Sequence, residues 1–234
     1  MNSLFTLLQG NPYPGRGIVL GAAPDGIRAV LAYFIMGRSE NSRNRVFAPH
    51  EAGIRTQAYD ESRMTDPSLI LYAPVRTVGV RTVVTNGDQT DTICDYLAQG
   101  KSFAEALAIR TFEPDAPNYT PRISGLLEAD GRYTLSILKS ADGNPAACRR
   151  FFYAYDPLPG QGHFIHTYQG DGDPLPSFAG EPFTVEMEDN TGAFAKKLWT
   201  SLDVDNKVSL FVRYITLETG ETETLIFNRH EEAE

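Results

Sequence analysis

The sequence predicts an α+β fold in which two antiparallel sheets stack face to face and helices cover their outer sides, an αββα sandwich. Three observations lead there. Runs rich in β-branched and aromatic residues come in pairs, separated by short Gly- or Asp-containing turns, the pattern of hairpins. Helical segments fall between those groups of strands and do not alternate with single strands, which disfavours a doubly wound parallel sheet. The length, 234 residues, suits one substantial core, so residues 1–234 are expected to form a single domain.

Gly17 to Gly21 and Arg28 to Met36 read as two strands joined by the turn Pro24-Asp25-Gly26. Leu69 to Tyr72 and Val75 to Val84 are further strands by their β-branched content. Asp88 to Gln99 has helical character, with Asp88 or Thr90 as N-cap and Gly100 as the stop. Ser102 and Glu105 form a capping-box pattern that opens a second helix through about Ile109. Ile123 to Leu138 is a hairpin around Asp130-Gly131, and Arg149 to Asp156 is a strand carrying three aromatics. Pro157 to Phe178 is rich in glycine and proline and reads as a long excursion. Thr184 to Glu188 resumes strand, and Thr191 to Leu202 is a helix with Phe194, Leu198 and Trp199 on one face. Lys207 to Glu218 and Glu223 to Asn228 close the sequence as a hairpin turning at Thr219-Gly220.

Composition narrows the chemistry. A formal charge of −9 argues against a nucleic-acid polymer as partner, since that demands a broad basic face. A small anion needs only a local basic cluster, and arginine outnumbers lysine 16 to 5. Arg38, Arg43 and Arg45 fall within eight residues, and the planar guanidinium fork suits phosphate or carboxylate. Cys94 and Cys148 belong to no CxxC pattern, so neither a disulfide framework nor a zinc site is expected. The sequence lacks a secretory pattern and any apolar run of membrane-spanning length, which favours the cytoplasm.

Three polar loops carry the functional signal: Gly37-Arg38-Ser39 through Asn44-Arg45, Thr85-Asn86-Gly87-Asp88 through Asp91, and Phe112-Glu113-Pro114-Asp115 leading to Thr120-Pro121-Arg122. Each follows an apolar element, the position in which rigid scaffolds present binding groups. The segment Asn11-Pro12-Tyr13-Pro14-Gly15-Arg16-Gly17 is neither GxGxxG nor a phosphate loop and precedes a strand, so it reads as a structural turn. His163 and His166, three apart on a strand, point to opposite faces, and no nearby carboxylate completes a metal site. There is no GxSxG elbow and no cysteine in a basic, helix-opening context, so covalent nucleophilic catalysis has no candidate. Asp88 and Asp91 serve equally as capping residues, and Glu113 with Asp115 as an acid–base pair or a solvated turn.

Taken together, the Gly-Arg-Ser loop ending in Asn44-Arg45, then Asn86-Gly87 with Thr90-Asp91, then Glu113 before Thr120-Pro121-Arg122, resemble the archaeal-type inosine monophosphate (IMP) cyclohydrolase family. The resemblance covers about the first 130 residues, and the remainder is more similar to longer bacterial members. It implies a four-layer αββα sandwich of the N-terminal-nucleophile (Ntn) hydrolase type, used without that nucleophile. It also implies the ring closure of 5-formamidoimidazole-4-carboxamide ribonucleotide (FAICAR) to IMP, with no metal and no cofactor. By resemblance Arg38 and Glu113 are catalytic. Tyr72, Asn86 and Gly87 would contact the base or formyl group, Arg45 and Arg122 are the phosphate candidates, and Asn44 and Asp91 complete the substrate-binding blocks. The rival readings are a non-catalytic purine-nucleotide sensor, an amide hydrolase acting on a related formylated or cyclic substrate, and an interaction protein using the 157–178 excursion. Assembly into a homo-oligomer is left open.

Overall fold

The hairpin at Pro24-Asp25-Gly26 sets the first sheet. Asp25 Oδ1 accepts from the amides of Ile27 (2.8 Å) and Arg28 (3.1 Å), and Gly26 takes φ 69°. This turn reverses β1 (Arg16–Ala22) into β2 (Arg28–Met36), two strands buried on both faces and therefore apolar almost throughout. The computed structural model describes residues 1–64 and 71–231. Its helices are α1 (Leu4–Gln9), α2 (Glu40–Arg43), α3 (Gln89–Ala98), α4 (Phe103–Ala108) and α5 (Thr191–Ser201). Later strands are β3 (Arg45–His50), β4 (Gly53–Ala58), β5 (Val75–Val78), β6 (Arg81–Thr85), β7 (Arg122–Leu127), β8 (Tyr133–Ala141) and β9 (Asn144–Tyr155), then β10 (Gln161–His166), β11 (Phe183–Glu186), β12 (Lys207–Thr216) and β13 (Thr222–Asn228).

Among the described residues these strands form two sheets, with antiparallel pairing between neighbours. The first runs β11-β10-β1-β2-β12-β13, the second β3 to β9 in chain order. Alternation along β1 shows how they stack. Ile18 and Leu20 face a core shared with Ile54, Val84, Ile123 and Leu135 of the second sheet, whereas Val19 faces α1 and α5 through Leu8, Phe194 and Leu198. On the far side of the second sheet, Val83, Leu126 and Leu138 pack against Ile93, Leu97, Ala106 and Leu107 of α3 and α4. Helices, sheet, sheet and helices therefore follow one another, a mixed α+β arrangement consistent with a sandwich. Among the described residues no helix is long and apolar enough to cross a membrane.

Several expected elements take a different form. Val75 to Val84 is a hairpin instead of one strand, because Gly79 adopts φ 61° and turns the chain. The β3–β4 hairpin reverses through Glu51 at φ 50° and not through Gly53, which pairs with His50, and Pro49 is accommodated because β3 lies at a sheet edge. Six residues of the Pro157 to Phe178 excursion form β10, which inserts between β1 and β11. Leu69 and Ile70 of the expected strand Leu69 to Tyr72 lie outside the described residues, while Tyr72 is held by paired bonds of 2.9 and 3.0 Å to Thr56. At α4 the capping box forms, with Glu105 N donating to Ser102 Oγ at 3.2 Å and Ser102 N to Glu105 Oε2 at 2.8 Å.

Candidate active site

Where the two sheets meet, the start of β1, the loop after β2, the start of β3 and the loop before β7 enclose a cleft of about 330 Å³. Arg16 opens β1 and Arg45 opens β3, so two guanidinium groups enter from adjacent sheets. Arg45 is 1% exposed, and its Nε donates to Ser42 O at 2.8 Å. Among the described residues four buried side-chain polar atoms lack a hydrogen-bond partner: Arg16 Nε, Arg45 Nη2, Asn41 Oδ1 and Ser136 Oγ. The first three belong to residues lining this one cleft. Buried donors are normally satisfied, and leaving one unmade costs roughly 1–3 kcal/mol, more for a charged group.

Glu113 faces these arginines and is itself buried. Burial raises its pKa above the ordinary 4.5, and the opposing fields of Arg16, Arg122 and Arg45 do not fully restore it. For Arg16 burial disfavours the charge, but Glu113 and the tyrosines 13, 168 and 72 more than offset that, so it stays a cation. Arg45 is held below its ordinary value, first by burial and then by Arg16. The result is two close cations that share the field of one buried carboxyl, an arrangement that favours an incoming anion. Tyr72 lies behind, its hydroxyl 2.8 Å from that of Tyr33, and burial keeps both phenols protonated.

Arg38 stands half-exposed at the mouth. It lies over the Tyr13 ring at 5.0 Å and bonds Asp171 Oδ1 at 2.5 Å and Gly172 O at 3.1 Å. The loop after β10 therefore reaches the site, through Tyr168 and Leu175, which line it, and Asp171, which pairs with Arg38.

The other sequence-derived candidates lie around the cleft without lining it. Asn86 donates from Nδ2 to Pro121 O (2.9 Å), and its Oδ1 accepts from Ile123 N (2.9 Å) and Gln89 Nε2 (3.1 Å). Arg122 donates to Gln89 Oε1 and pairs with Asp88, both at 2.6 Å, and Asp88 also pairs with Arg110 at 2.5 Å. Gly87 is required by this knot, because a Cβ there would lie 2.5 Å from Arg122 Nη1. Asp91 pairs with Arg76 at 2.7 Å on the exposed side of α3. Asn44 exchanges two 2.8 Å bonds with the backbone of Asp60.

Tyr13 and Arg16, expected only as part of a structural turn, line the cleft, as does Tyr168, which no motif marks. For Arg16 the available clue was its place at the head of an otherwise apolar strand. His163 and His166 point to separate environments. His163 Nδ1 meets Tyr133 Oη, His166 Nδ1 meets Tyr168 O, both at 2.7 Å, and burial lowers each ring to a pKa of about 4. A larger cleft of about 660 Å³ lies at the β12–β13 turn, but its one arginine, Arg213, already bonds Ala52 O and Thr224.

A family model described as IMP cyclohydrolase-like protein matches residues 13–221. An IMP cyclohydrolase of Methanopyrus kandleri is 29% identical over 180 residues, covering 76% of this chain and 84% of that protein. One of Halobacterium salinarum is 31% identical over 132 residues, and one of Methanosphaera stadtmanae 30% over 130 residues. In both of these the match spans 63% of the relative's length and about half of this chain.

Proposed function

The chain belongs to the IMP cyclohydrolase-like family, and from that membership we propose that it closes the pyrimidine ring of FAICAR to give IMP. The observation that carries the reading is the cleft's set of three unpartnered buried polar atoms, two on arginines, around a carboxyl group whose proton affinity burial has raised. A nucleotide monophosphate supplies the missing partners, and the carboxyl supplies proton transfer.

In this mechanism the carboxamide nitrogen attacks the formyl carbon and gives one proton to the Glu113 carboxylate, which passes it to the formyl oxygen to make the hydroxyl of a carbinolamine. The N–H of the former formamide then gives its proton to the regenerated Glu113 carboxylate. Glu113 delivers that second proton to the hydroxyl as it leaves as water, and the ring double bond forms. Holding the two groups in contact can contribute about 7–11 kcal/mol in favourable cases. Each well-placed donor to the developing oxyanion contributes about 3 kcal/mol.

Arg38, at the mouth, orients the substrate and offsets charge at the formyl oxygen. Arg45, with Arg16 beside it, holds the phosphate, and Tyr72 bounds the base. We assign Asn44, Asn86, Gly87, Asp91 and Arg122 to supporting these groups from behind. The layer order fits the Ntn hydrolase class, used without its nucleophile. The amide-hydrolase rival would need an activated water with a base and an orienting partner, and the cleft holds one buried carboxyl already facing arginines.

The test is IMP formation from FAICAR by purified protein, with Glu113→Gln alongside. Turnover should fall by about 10²–10⁴-fold in the variant while IMP affinity is retained. Wild-type protein that binds IMP saturably but forms none would replace this reading with that of a nucleotide sensor.

A further inference from the structure

A short polar chain of Tyr168, Thr120 and Asp115 runs along the wall of the cleft. Asp115 Oδ1 accepts from Thr120 N at 2.7 Å, and Asp115 Oδ2 accepts from Thr120 Oγ1. Thr120 Oγ1 is in turn 2.5 Å from Tyr168 Oη. A carboxylate has no proton to give, and a threonine hydroxyl has one. That one hydrogen is committed to Asp115, so the contact between the two hydroxyls must use the hydrogen of Tyr168. The phenol is buried, which raises its pKa and keeps its proton in place. Having given its hydrogen to Thr120, Tyr168 Oη has only lone pairs left for the cleft.

The ring is held to this task. Tyr13 stacks on it at 6.0 Å with an interplanar angle of 15°. Gly15, at φ 77°, passes beneath, where a Cβ would come within 2.5 Å of Tyr168 Cδ2 and 2.3 Å of Thr167 Oγ1. The other basic groups of the cleft, Arg16, Arg38 and Arg45, are donors only.

We propose that Asp115 and Thr120 are positioning residues that fix the direction of this hydrogen-bond chain, so that Tyr168 acts as an acceptor and selects ligands bearing an N–H at that point. On the reading given under Proposed function, which identifies the ligand, that N–H is the substrate's carboxamide N–H, which persists as N1–H of IMP. AMP presents a lone pair at the same ring position and should be rejected.

Asp115→Asn gives a specific consequence. Thr120 N still requires an acceptor, so the asparagine oxygen takes that place and its NH2 faces Thr120 Oγ1. The Thr120 hydroxyl must then turn to donate to Tyr168, and the Tyr168 hydrogen points into the cleft. Polarity at that point is reversed.

The experiment is calorimetric titration of IMP and AMP into wild type, Asp115→Asn, Thr120→Val, Thr120→Ser and Tyr168→Phe, with near-UV circular dichroism to verify each fold. Wild type should prefer IMP by about tenfold or more, the scale of one hydrogen bond won or lost. Asp115→Asn should bring the ratio to about one or invert it. Thr120→Val should lose the discrimination and Thr120→Ser restore it, and Tyr168→Phe combined with Asp115→Asn should behave as Tyr168→Phe alone. A folded Asp115→Asn variant with the wild-type ratio, Tyr168→Phe with undiminished IMP affinity, or wild type that binds neither nucleotide would overturn the proposal. Because binding is the readout, wild type that prefers IMP but fails to convert FAICAR defeats the proposed activity and leaves this selection standing.

Discussion

Two buried polar clusters flank the segment from Glu113 to Ile123, and they are built on opposite terms. The knot of Asn86, Gln89, Arg122 and Asp88 closes on itself, each of its polar side chains meeting a partner at 2.6–3.1 Å. The cluster of Arg16, Arg45 and Asn41 around Glu113 leaves one polar atom of each of the three without a partner. Both contain arginine, amide and carboxyl groups, drawn, apart from Arg16, from the three polar loops. Composition does not separate them, whereas hydrogen-bond satisfaction does. A satisfied network rigidifies a fold, and an unsatisfied one holds free energy that a ligand can release.

After Glu113→Gln, the largest expected separation comes from Arg45→Met. Removing a cation that both burial and Arg16 disfavour should leave stability unchanged or raise it. IMP affinity should nevertheless fall about 10- to 100-fold, the value of a hydrogen bond to a charged group. Melting temperature and titration on the same sample decide it, and a variant that is both destabilised and still binds would erase the contrast. Asn86→Ala should do the reverse. It strips partners from Pro121, Ile123 and Gln89, costing about 2–3 kcal/mol in urea unfolding, with IMP affinity shifted far less.

A subtler separation comes with pH. Glu113 titrates above 4.5, so the acid limb of kcat/KM should lie above that value and vanish from the residual activity of Glu113→Gln. In the knot, burial pushes Asp88 up but Arg110 and Arg122 hold it below 3.8, so its contribution to stability is present above 3.8 and lost only as pH falls through the lower folded value. Turnover should therefore decline while near-UV circular dichroism at 25 °C still reports a folded knot. The smallest effect is expected for Arg38→Lys. It keeps the charge at the half-exposed mouth but loses the fork, and kcat should drop by about tenfold or less with the melting temperature unmoved.

Legibility in the sequence followed the range of the interactions. Turns at Gly26, Gly131 and Gly220 were readable because each takes a positive φ, between 69° and 85°, that glycine adopts without strain. The capping box was readable because its partners are three residues apart. The β3–β4 hairpin was not, since Glu51 occupies a conformation its residue type does not advertise. Arg45 and Glu113 could be picked out from local motifs. Arg16 and Tyr168 could not, because they meet only through the pairing of β1 with β10, where Gly17 faces His166 across most of the chain.

The order of strands also dictates how the protein comes into being. The second sheet is a meander whose neighbours are neighbours in sequence, complete once residue 155 has been made. The first sheet closes only when β10 returns to β1 and β12 to β2, contacts whose loop-closure entropy makes them slow to form. On the ribosome, therefore, the first sheet grows outward from two early strands, β1 and β2, that wait for late ones. The cleft draws Arg45 and Glu113 from the early part, and Arg16 and Tyr168 from the pair of strands that closes late. The whole cleft is therefore present only after β10 has paired with β1, and its completion marks the closing of the first sheet.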